Sequence, residues 1–336
     1  MATSEPSPRD ALWRMTNAYQ VSQAIHVAAS LGIADLLKDG PRRVEELAAA
    51  TGSRAPSLYR LLRALASVGI FVEADGRFGL TPLAEYLRSD VPGSVRAWAT
   101  MVGRPYAWST WSSLRHSIAT GEPAFPALHG MSAWDYRAAH PEEGAIFDAA
   151  MNSLATTAAG AVVASYDFSE IGVLADVGGG QGELLAGILA ANAGMRGILF
   201  DQPHVVAGAG PVLEQAGVTD RCEIVGGSFF EAVPSGADAY LLKSVIHDWD
   251  DPPAVEILRQ CRAAIADTGK LLLVEYLVQP GNEPDPLKFR DLMMLVMVGG
   301  RERTVEDFRR LYAEAGFRLT EVVPTPPYHV IEGVPA

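Results

Sequence analysis

The chain has little cysteine and few basic residues for its length. Its 336 residues include only Cys222 and Cys261, and no C-x-x-C pair occurs. Two thiols are too few for a disulfide framework or a cysteine-based zinc site, so we expect a reducing cytoplasm and no metal. Lysine and arginine number 27 against 40 acidic residues, a net charge of −13. This balance argues against a nucleic-acid partner, because general affinity for phosphate backbones relies on clustered cations.

The sequence also lacks the features of export and membrane insertion. Residues 1–10 have neither the basic end nor the apolar core of a signal peptide. The apolar run at 292–298 is shorter than the roughly 20 residues that span a bilayer. Because 49% of the residues are hydrophobic and 20% are charged, we predict a soluble globular protein, long enough for two domains, with no membrane partner.

The first hundred residues predict a helical domain that ends in a hairpin. Helical patterns at 44–49 and 57–66 precede apolar runs at 69–73 and 78–80. The two runs flank Asp75-Gly76, a strong signal for a tight hairpin turn. The order of helix, turn, helix and hairpin is a winged-helix layout.

The charge of this region favours dimerisation over DNA binding. Residues 1–100 carry 11 basic and 10 acidic residues, whereas the rest of the chain carries 16 and 30. A ligand-sensing transcription regulator stays open as the non-enzyme alternative. We predict a dimerisation domain at 1–97, a helical segment at 98–160 and a catalytic domain at 161–336. The aromatic residues of the middle segment suit either a core or a pocket for a flat acceptor.

Apolar runs alternate with helical patterns from residue 173 onward. This alternation predicts an α/β fold with a mostly parallel sheet and crossover helices. The last two runs are separated by prolines, which predicts an antiparallel edge. The predicted strands are 173–177, 197–200, 222–225, 239–246, 270–276, 318–323 and 328–333.

A glycine-rich turn follows the first of these strands, at 174–182. Glycine lets a ligand approach the backbone where a strand turns into a helix. Glu183 stands where the dinucleotide fingerprint has its third glycine, which weakens a nicotinamide dehydrogenase interpretation. Asp201 ends the next apolar run, 23 residues beyond Gly178, the position of an acid that binds ribose hydroxyls. The pattern indicates an adenosine-containing cofactor.

A histidine and two acids form the candidate catalytic group. His247 follows the strand run 239–246, Glu275 lies in the run 270–276, and Glu302 follows a glycine pair. Ligands of open α/β sheets bind at the carboxyl ends of the strands, where a histidine can transfer protons near neutral pH. Neighbouring carboxylates would fix its tautomer and stabilise the imidazolium. The alternative is that both acids are solvated surface residues.

Five motifs occur together in one order along the chain. They are Asp176–Gly180, Phe200-Asp201, Leu242-Lys243, His247–Trp249 and Gly300–Thr304. In this the chain resembles the small-molecule O-methyltransferases of the caffeate and hydroxyindole type, a group that includes bacterial antibiotic-tailoring enzymes. The resemblance implies a Rossmann-like class I methyltransferase sheet, S-adenosylmethionine as cofactor, an aromatic small molecule as methyl acceptor, and an N-terminal domain that forms an intertwined homodimer.

The resemblance also implies roles for single residues. His247 would be the general base, with Glu275 and Glu302 flanking it. Asp201 would hold the ribose of the cofactor and Trp249 would stack on its adenine. The implied cofactor contacts are Gly178, Asp201, Ser228, Phe229, Lys243 and Trp249. The implied acceptor contacts are Met151, Asn152, Asp248 and Met294.

One motif departs from the family pattern. The family has an acidic residue after the third strand that receives the adenine amino group, and here Ser228 occupies the position. A serine can accept a hydrogen bond but lacks the charge that strengthens it, so the adenine contact should differ. Methylation of nitrogen, decarboxylation and hydroxylation on the same fold are the other enzymatic interpretations.

Overall fold

The computed structural model describes residues 6–336, which divide into two compact units. The first unit comprises 6–108 and 145–153, and the second comprises 109–144 and 154–336. The segment predicted to lie between the two domains therefore contributes to both units.

The first unit has the predicted order of helices followed by a hairpin. Its elements are α1 Pro8–Ser30, α2 Ile33–Leu36, α3 Val44–Thr51, α4 Ala55–Ser67, β1 Phe71–Ala74, β2 Arg77–Leu80, α5 Pro82–Glu85, α6 Arg96–Val102 and the first half of α7 Pro105–Ser112, whose second half belongs to the second unit. Asp75 and Gly76 both have positive φ, at 50° and 70°, as a two-residue hairpin turn requires. Leu62 and Phe71 lie in the buried core beneath this hairpin.

The second unit holds the sheet and its helices. Its helices are α8 Leu114–Thr120, α9 Ala124–His129, α10 Ala133–Ala139, parts of α11 Pro141–Ser165, α12 Glu183–Ala191, α13 Pro203–Val206, α14 Gly210–Gln215, α15 Asp251–Ala264, α16 Leu287–Met297 and α17 Val305–Glu314. Its strands are β3 Val173–Val177, β4 Arg196–Asp201, β5 Cys222–Gly226, β6 Ala239–Lys243, β7 Lys270–Glu275, β8 Phe317–Thr325 and β9 Tyr328–Pro335.

The seven strands lie in the order β5-β4-β3-β6-β7-β9-β8. The first five in this order are parallel, and β9 and β8 pair antiparallel. The predicted sheet with an antiparallel C-terminal edge is therefore confirmed. The strand order reverses between β3 and β6, and such a switch point opens a crevice at the carboxyl ends of the strands. The glycine-rich turn follows β3 and His247 follows β6, so both border this crevice.

Side chains alternate between two cores, one on each face of the sheet. Leu174 and Leu241 belong to the core that includes α12, whereas Ala175 and Leu242 belong to the core that includes α15 and α17. Because both faces are covered, the parallel strands are apolar nearly throughout.

The predicted strand at 239–246 was too long. The strand β6 ends at Lys243, and Ser244 has a positive φ of 54°. The amides of Val245 and Ile246 then bond to a side chain of β7 instead of a neighbouring strand. The polar pair Lys243-Ser244 interrupts the apolar run at this turn, but Val245 and Ile246, which follow it, are buried again.

The helix α11 is, among residues 6–336, the one helix long and apolar enough to cross a membrane by length and composition alone. The expectation that no segment spans a bilayer rested on the shorter run at 292–298 alone. Part of α11 is packed inside the second unit, where Ala158 and Val162 are fully buried in the core beside α12. The core helix of a soluble protein passes the same test of length and composition.

Candidate active site

His247 lies in a short 3-10 turn after β6, and its side chain is almost completely buried. The ring lies between carboxylates. Its Nδ1 atom is 3.0 Å from Oε2 of Glu275 and 3.8 Å from Oε1 of Glu302, and its Nε2 atom is 3.3 Å from Oδ1 of Asp248. The structure therefore brings together the predicted histidine and both predicted acids, so the alternative of solvated surface acids was wrong.

Glu275 is the fixed anion of this group. It ends β7, is fully buried, and accepts hydrogen bonds on Oε1 from the amides of Val245 and Ile246 at 3.1 and 2.9 Å. Burial alone raises the pKa of Glu275, but the charge of His247 and the amide of Ile246 outweigh it, and the pKa is lowered. One carboxylate thus shapes the turn before His247 and stays ionised beside the ring.

The imidazole has an unusually high affinity for protons. Burial lowers the pKa of His247, but the negative charges of Glu275 and Asp248 outweigh burial and raise it to about 10. The Nδ1 atom is sealed from solvent. Nε2 is therefore the ring nitrogen that can meet a bound hydroxyl group.

Glu302 is held by a cation from α16. Its Oε1 accepts a 2.6 Å hydrogen bond from Nε of Arg290, and its backbone amide donates to Oδ1 of Asp291 at 2.8 Å. Burial raises the pKa of Glu302 in spite of the positive charges of His247 and Arg290. Glu302 therefore differs from the other carboxylates around His247, because it also pairs with a second cation, Arg290.

Arg303 fixes the backbone of the loop 246–251. This fully buried arginine donates to the carbonyls of Ile246 and Trp249, both at 2.8 Å, and to Oδ1 of Asp251. The same loop also touches Gly300, where an added Cβ would lie 2.0 Å from the His247 carbonyl oxygen. Arg303 and Gly300, on either side of Glu302 in the chain, thus position the histidine loop.

The glycine-rich turn lies beside this loop. Gly178 has a φ of 72°, and a Cβ added to it would lie 2.7 Å from Val245. Gly180 faces open space, and its amide donates to Oδ2 of Asp201 at 2.8 Å. Burial raises the pKa of Asp201 although two backbone amides act in the opposite direction. The turn therefore has one packed side and one side open to a ligand.

Asp176 is a buried carboxylate beneath the same turn. A Cβ on Gly179 would lie 2.7 Å from its Cγ, and neither carboxylate oxygen has a hydrogen-bond partner among residues 6–336. Burial and the charge of Asp201 raise the pKa of Asp176 to about 7. A buried acid without a partner is costly in a free protein, which marks the position as a contact for a polar ligand.

Trp249 is surrounded by aromatic rings. Its ring is nearly parallel to that of Trp134 on α10, with centroids 6.5 Å apart, and the edges of Phe229 and Phe230 approach it at 6.2 and 4.7 Å. Ser228 accepts a hydrogen bond from the amide of Phe230 at 3.3 Å. Three predicted cofactor residues, Ser228, Phe229 and Trp249, therefore cluster on one side of the site.

The remaining predicted residues lie on other elements. Lys243 ends β6, and Met294 is buried on α16, one turn after Arg290. Met151 and Asn152 lie on α11 in the stretch that belongs to the first unit. Their role as acceptor contacts stays a prediction.

The sequence analysis assigned no role to Asp176, Arg290 and Arg303, and Trp134 was among the aromatic residues expected to form either a core or a pocket. Asp176 had a signal, because it is the one charged residue in the buried strand β3. Arg303 lies in a quoted motif but was given no role. Within residues 6–336, no group of His, Cys, Asp and Glu side chains is arranged to hold a metal ion.

Comparison with known proteins identifies the family. A sequence profile described as the O-methyltransferase domain matches residues 111–318, and one described as the O-methyltransferase dimerisation domain matches residues 13–90. The chain belongs to the O-methyltransferase family. The resemblance stated from the motifs and the predicted N-terminal dimerisation domain are therefore confirmed.

Three relatives illustrate the range of this family. The phenazine O-methyltransferase of Lysobacter antibioticus is 48% identical over 94% of this chain and 92% of its own length. The 8-amino-8-demethylriboflavin N,N-dimethyltransferase of Streptomyces davaonensis is 38% identical over 91% and 89%. A solved O-methyltransferase from neocarzinostatin biosynthesis, in complex with S-adenosylmethionine and 2-hydroxy-5-methyl naphthoic acid, is 35% identical, with a TM-score of 0.82 over 94% of this chain and 96% of that one.

Replacement of Arg303 by Met tests the clamp on the histidine loop. It leaves two buried carbonyl groups without their donor, so we expect a loss of about 2–5 kcal/mol in the free energy of unfolding. Arg301→Met is the matched control, because Arg301 is half exposed and, within residues 6–336, its one ion pair is with the exposed Asp250, and it should cost below about 1 kcal/mol. Urea unfolding measures both. Equal losses in the two variants would contradict the clamp.

Proposed function

We propose that the protein transfers a methyl group from S-adenosylmethionine to a hydroxyl group of an aromatic small molecule. The observation that carries this proposal is the buried His247, which lies between carboxylates at the sheet edge beside the glycine-rich turn. Its family is named for this reaction. By analogy with the antibiotic pathways of its relatives, we assign the acceptor to secondary metabolism.

The residues at the switch point fit the cofactor. S-adenosylmethionine supplies a methyl group already activated on a sulfonium sulfur. Asp201 offers carboxylate oxygens for the ribose hydroxyls, Trp249 offers a ring face for adenine, and Gly178 and Gly180 leave the backbone accessible. Asp176 lies beneath the turn as an acceptor without a partner, suited to the positively charged end of the cofactor. Ser228 and Phe229 would border the adenine.

His247 would remove the proton of the acceptor hydroxyl on Nε2. A phenol has a pKa near 10, as tyrosine does, and the raised pKa of His247 is about 10. Proton transfer from the phenol to His247 is therefore less unfavourable than transfer to an ordinary imidazole. The imidazolium that results is stabilised by Glu275 behind the ring and by Asp248 beside it. The acceptor oxygen is left as an anion, the form that attacks carbon.

The raised pKa of His247 also affects its protonation state before the ligands bind. At neutral pH the ligand-free histidine carries a proton, so the reactive combination is either neutral His247 with a phenol or the imidazolium with a phenolate. Both contain the same number of protons. A positively charged cofactor next to the ring would lower the pKa of His247 and favour the neutral base.

Methylation of an amine is the second candidate reaction. It is favoured by the 38% identity to a relative named as an N,N-dimethyltransferase. An aromatic amine is already neutral at pH 7 and does not need a base before attack. Dependence on His247, together with the position of the added methyl in the product, separates the two reactions.

Replacement of His247 by Ala tests the base. We expect kcat for an aromatic hydroxyl acceptor to fall by ~10²–10⁴-fold, while the Kd for S-adenosylhomocysteine changes little because the ring faces the acceptor. Turnover with labelled cofactor and calorimetric titration measure the two quantities. Unchanged turnover would remove the assigned role, and methylation of nitrogen would then be the better interpretation.

Glu275→Gln tests the origin of the raised pKa. The amide keeps an acceptor for the amides of Val245 and Ile246 but loses the negative charge beside the ring. Loss of that charge lowers the pKa of His247, so the rise of kcat/KM with pH should move to lower pH by about 1–3 units. Glu306→Gln, at an exposed acid of α17, is the control and should not move the profile. If kcat/KM of E275Q rose at the same pH as that of the wild type, Glu275 would not be the origin of the raised pKa of His247.

The first unit supports a homodimer. It carries the dimerisation domain of the family, and the described part of α1 exposes Leu12, Trp13 and Met15 by 65%, 66% and 74%. Apolar side chains at this density on one helix are typical of a protein interface. These three residues are not part of the candidate catalytic group, so substitutions there test the dimer separately from the reaction.

Two charges on this helix should separate the subunits. We expect Leu12→Glu with Met15→Glu to convert a particle of twice 35.8 kDa into one of 35.8 kDa, because charged side chains would be buried without partners. Light scattering after gel filtration gives the mass. Ile118→Glu, an equally exposed apolar residue of α8, should leave the mass unchanged. A wild-type monomer would contradict the dimer.

We also propose a cytoplasmic location.

A further inference from the structure

Two consecutive residues of α16 hold Glu302. The Nε atom of Arg290 donates to its Oε1 atom at 2.6 Å, and Oδ1 of Asp291 accepts from its backbone amide at 2.8 Å. The same Oε1 atom lies 3.8 Å from Nδ1 of His247. One carboxylate oxygen therefore lies between the proposed base and a cation that belongs to another element of the fold.

Aromatic rings hold the guanidinium of Arg290 in place. It lies over the ring of Tyr276, 4.4 Å from the centroid, and the side chain is 18% exposed. Tyr276 in turn packs on Tyr328, with centroids 4.2 Å apart. A cation over a ring face is attracted by the electrons of the ring. The pair of Arg290 and Glu302 is therefore a packed ion pair and not a loose contact at the surface.

Glu302 depends on neighbouring cations for its negative charge. The titratable groups that face it are His247 after β6, Glu275 on β7, and Arg290 and Asp291 on α16. Burial raises the pKa of Glu302, and the positive charges of His247 and Arg290 act against burial without cancelling it. A cation at this distance lowers the pKa of a carboxyl group by about 1–3 pH units. Without Arg290, Glu302 would take up a proton much closer to neutral pH.

The protonation state of Glu302 affects the ring of His247. Nδ1 of the ring already faces Glu275 at 3.0 Å, and Nε2 lies 3.3 Å from Asp248. An ionised Glu302 adds a further negative charge on the Nδ1 side, whereas a protonated Glu302 adds none. Because Nδ1 is sealed from solvent, water screens this difference little. A change in the charge of Glu302 is therefore felt at the base.

We propose that Arg290 is a positioning residue for the methyl transfer, and that it acts through Glu302 by keeping this buried carboxylate ionised behind the base. The inference rests on the proposed function, because it concerns the base of that reaction. It assigns Arg290 no contact with the cofactor or the acceptor. Met294, a predicted acceptor contact, lies one turn further along the same helix. The helix α16 thus carries both a predicted wall of the acceptor site and the cation that controls the charge behind His247.

The test follows the imidazole of His247 by nuclear magnetic resonance during a pH titration of the protein labelled with nitrogen-15 histidine. The chain has seven histidines, and the signal that is lost in His247→Ala belongs to His247. Protonation of Glu302 gives an inflection in this signal, which Glu302→Gln removes. We expect Arg290→Met to move the inflection to higher pH by about 1–3 pH units, because the opposing charge is lost while burial remains. Arg290→Lys keeps the charge and should move it by less than about 1 pH unit.

Lys288→Met is the matched control, because it removes a cation of the same helix that donates to the carbonyls of Gly281 and Glu283. It should leave the inflection at the wild-type pH. The double variant R290M/E302Q should show no inflection, which assigns the effect of R290M to Glu302. If R290M does not fold, Arg290→Gln, which is also uncharged, gives the same comparison.

The proposal is overturned if the uncharged variant at position 290 leaves the inflection at the wild-type pH, since Arg290 would then act on stability alone. It is also overturned if K288M moves the inflection as far as R290M does. Failure of the proposed function looks different. In that case H247A would keep full turnover, whereas the inflection of the His247 signal would still move in R290M.

Discussion

The active site depends on the buried carboxylate of Glu275. This one group accepts the amides of Val245 and Ile246, turns the chain out of β6, and lies 3.0 Å from the ring that follows. A neutral side chain could shape the turn but could not raise the proton affinity of His247. A surface carboxylate could not do so either, since water would screen its charge. Burial, register and charge at a single strand end therefore determine both the geometry and the chemistry.

Most of the fold could be predicted from the sequence because its signals are local. Alternation of apolar runs and helical patterns placed all seven strands of the sheet, and Asp75-Gly76 located the hairpin of the first unit. The end of β6 was placed too late, since Lys243 and Ser244 interrupt the apolar run but the buried residues Val245 and Ile246 resume it. That turn exists only because Glu275, 30 residues later than Val245, reaches its amides.

The site was predictable where a residue type carries its own chemistry. His247, Glu275 and Glu302 come together as the motifs indicated. Arg290 and Trp134 were not predictable, because an arginine on an amphipathic helix and a tryptophan in a helical segment have many ordinary explanations. Their importance comes from what lies opposite them in space, Glu302 in one case and Trp249 in the other.

The clamp of Arg303 joins two candidate functional residues in one loop. It binds the carbonyls of Ile246 and Trp249, on either side of the proposed base, within one rigid loop. A substitution that displaces this loop would move the proposed base, His247, and the proposed adenine contact, Trp249, together. A single buried arginine thus makes the geometry of the base and that of the neighbouring aromatic cluster one structural unit.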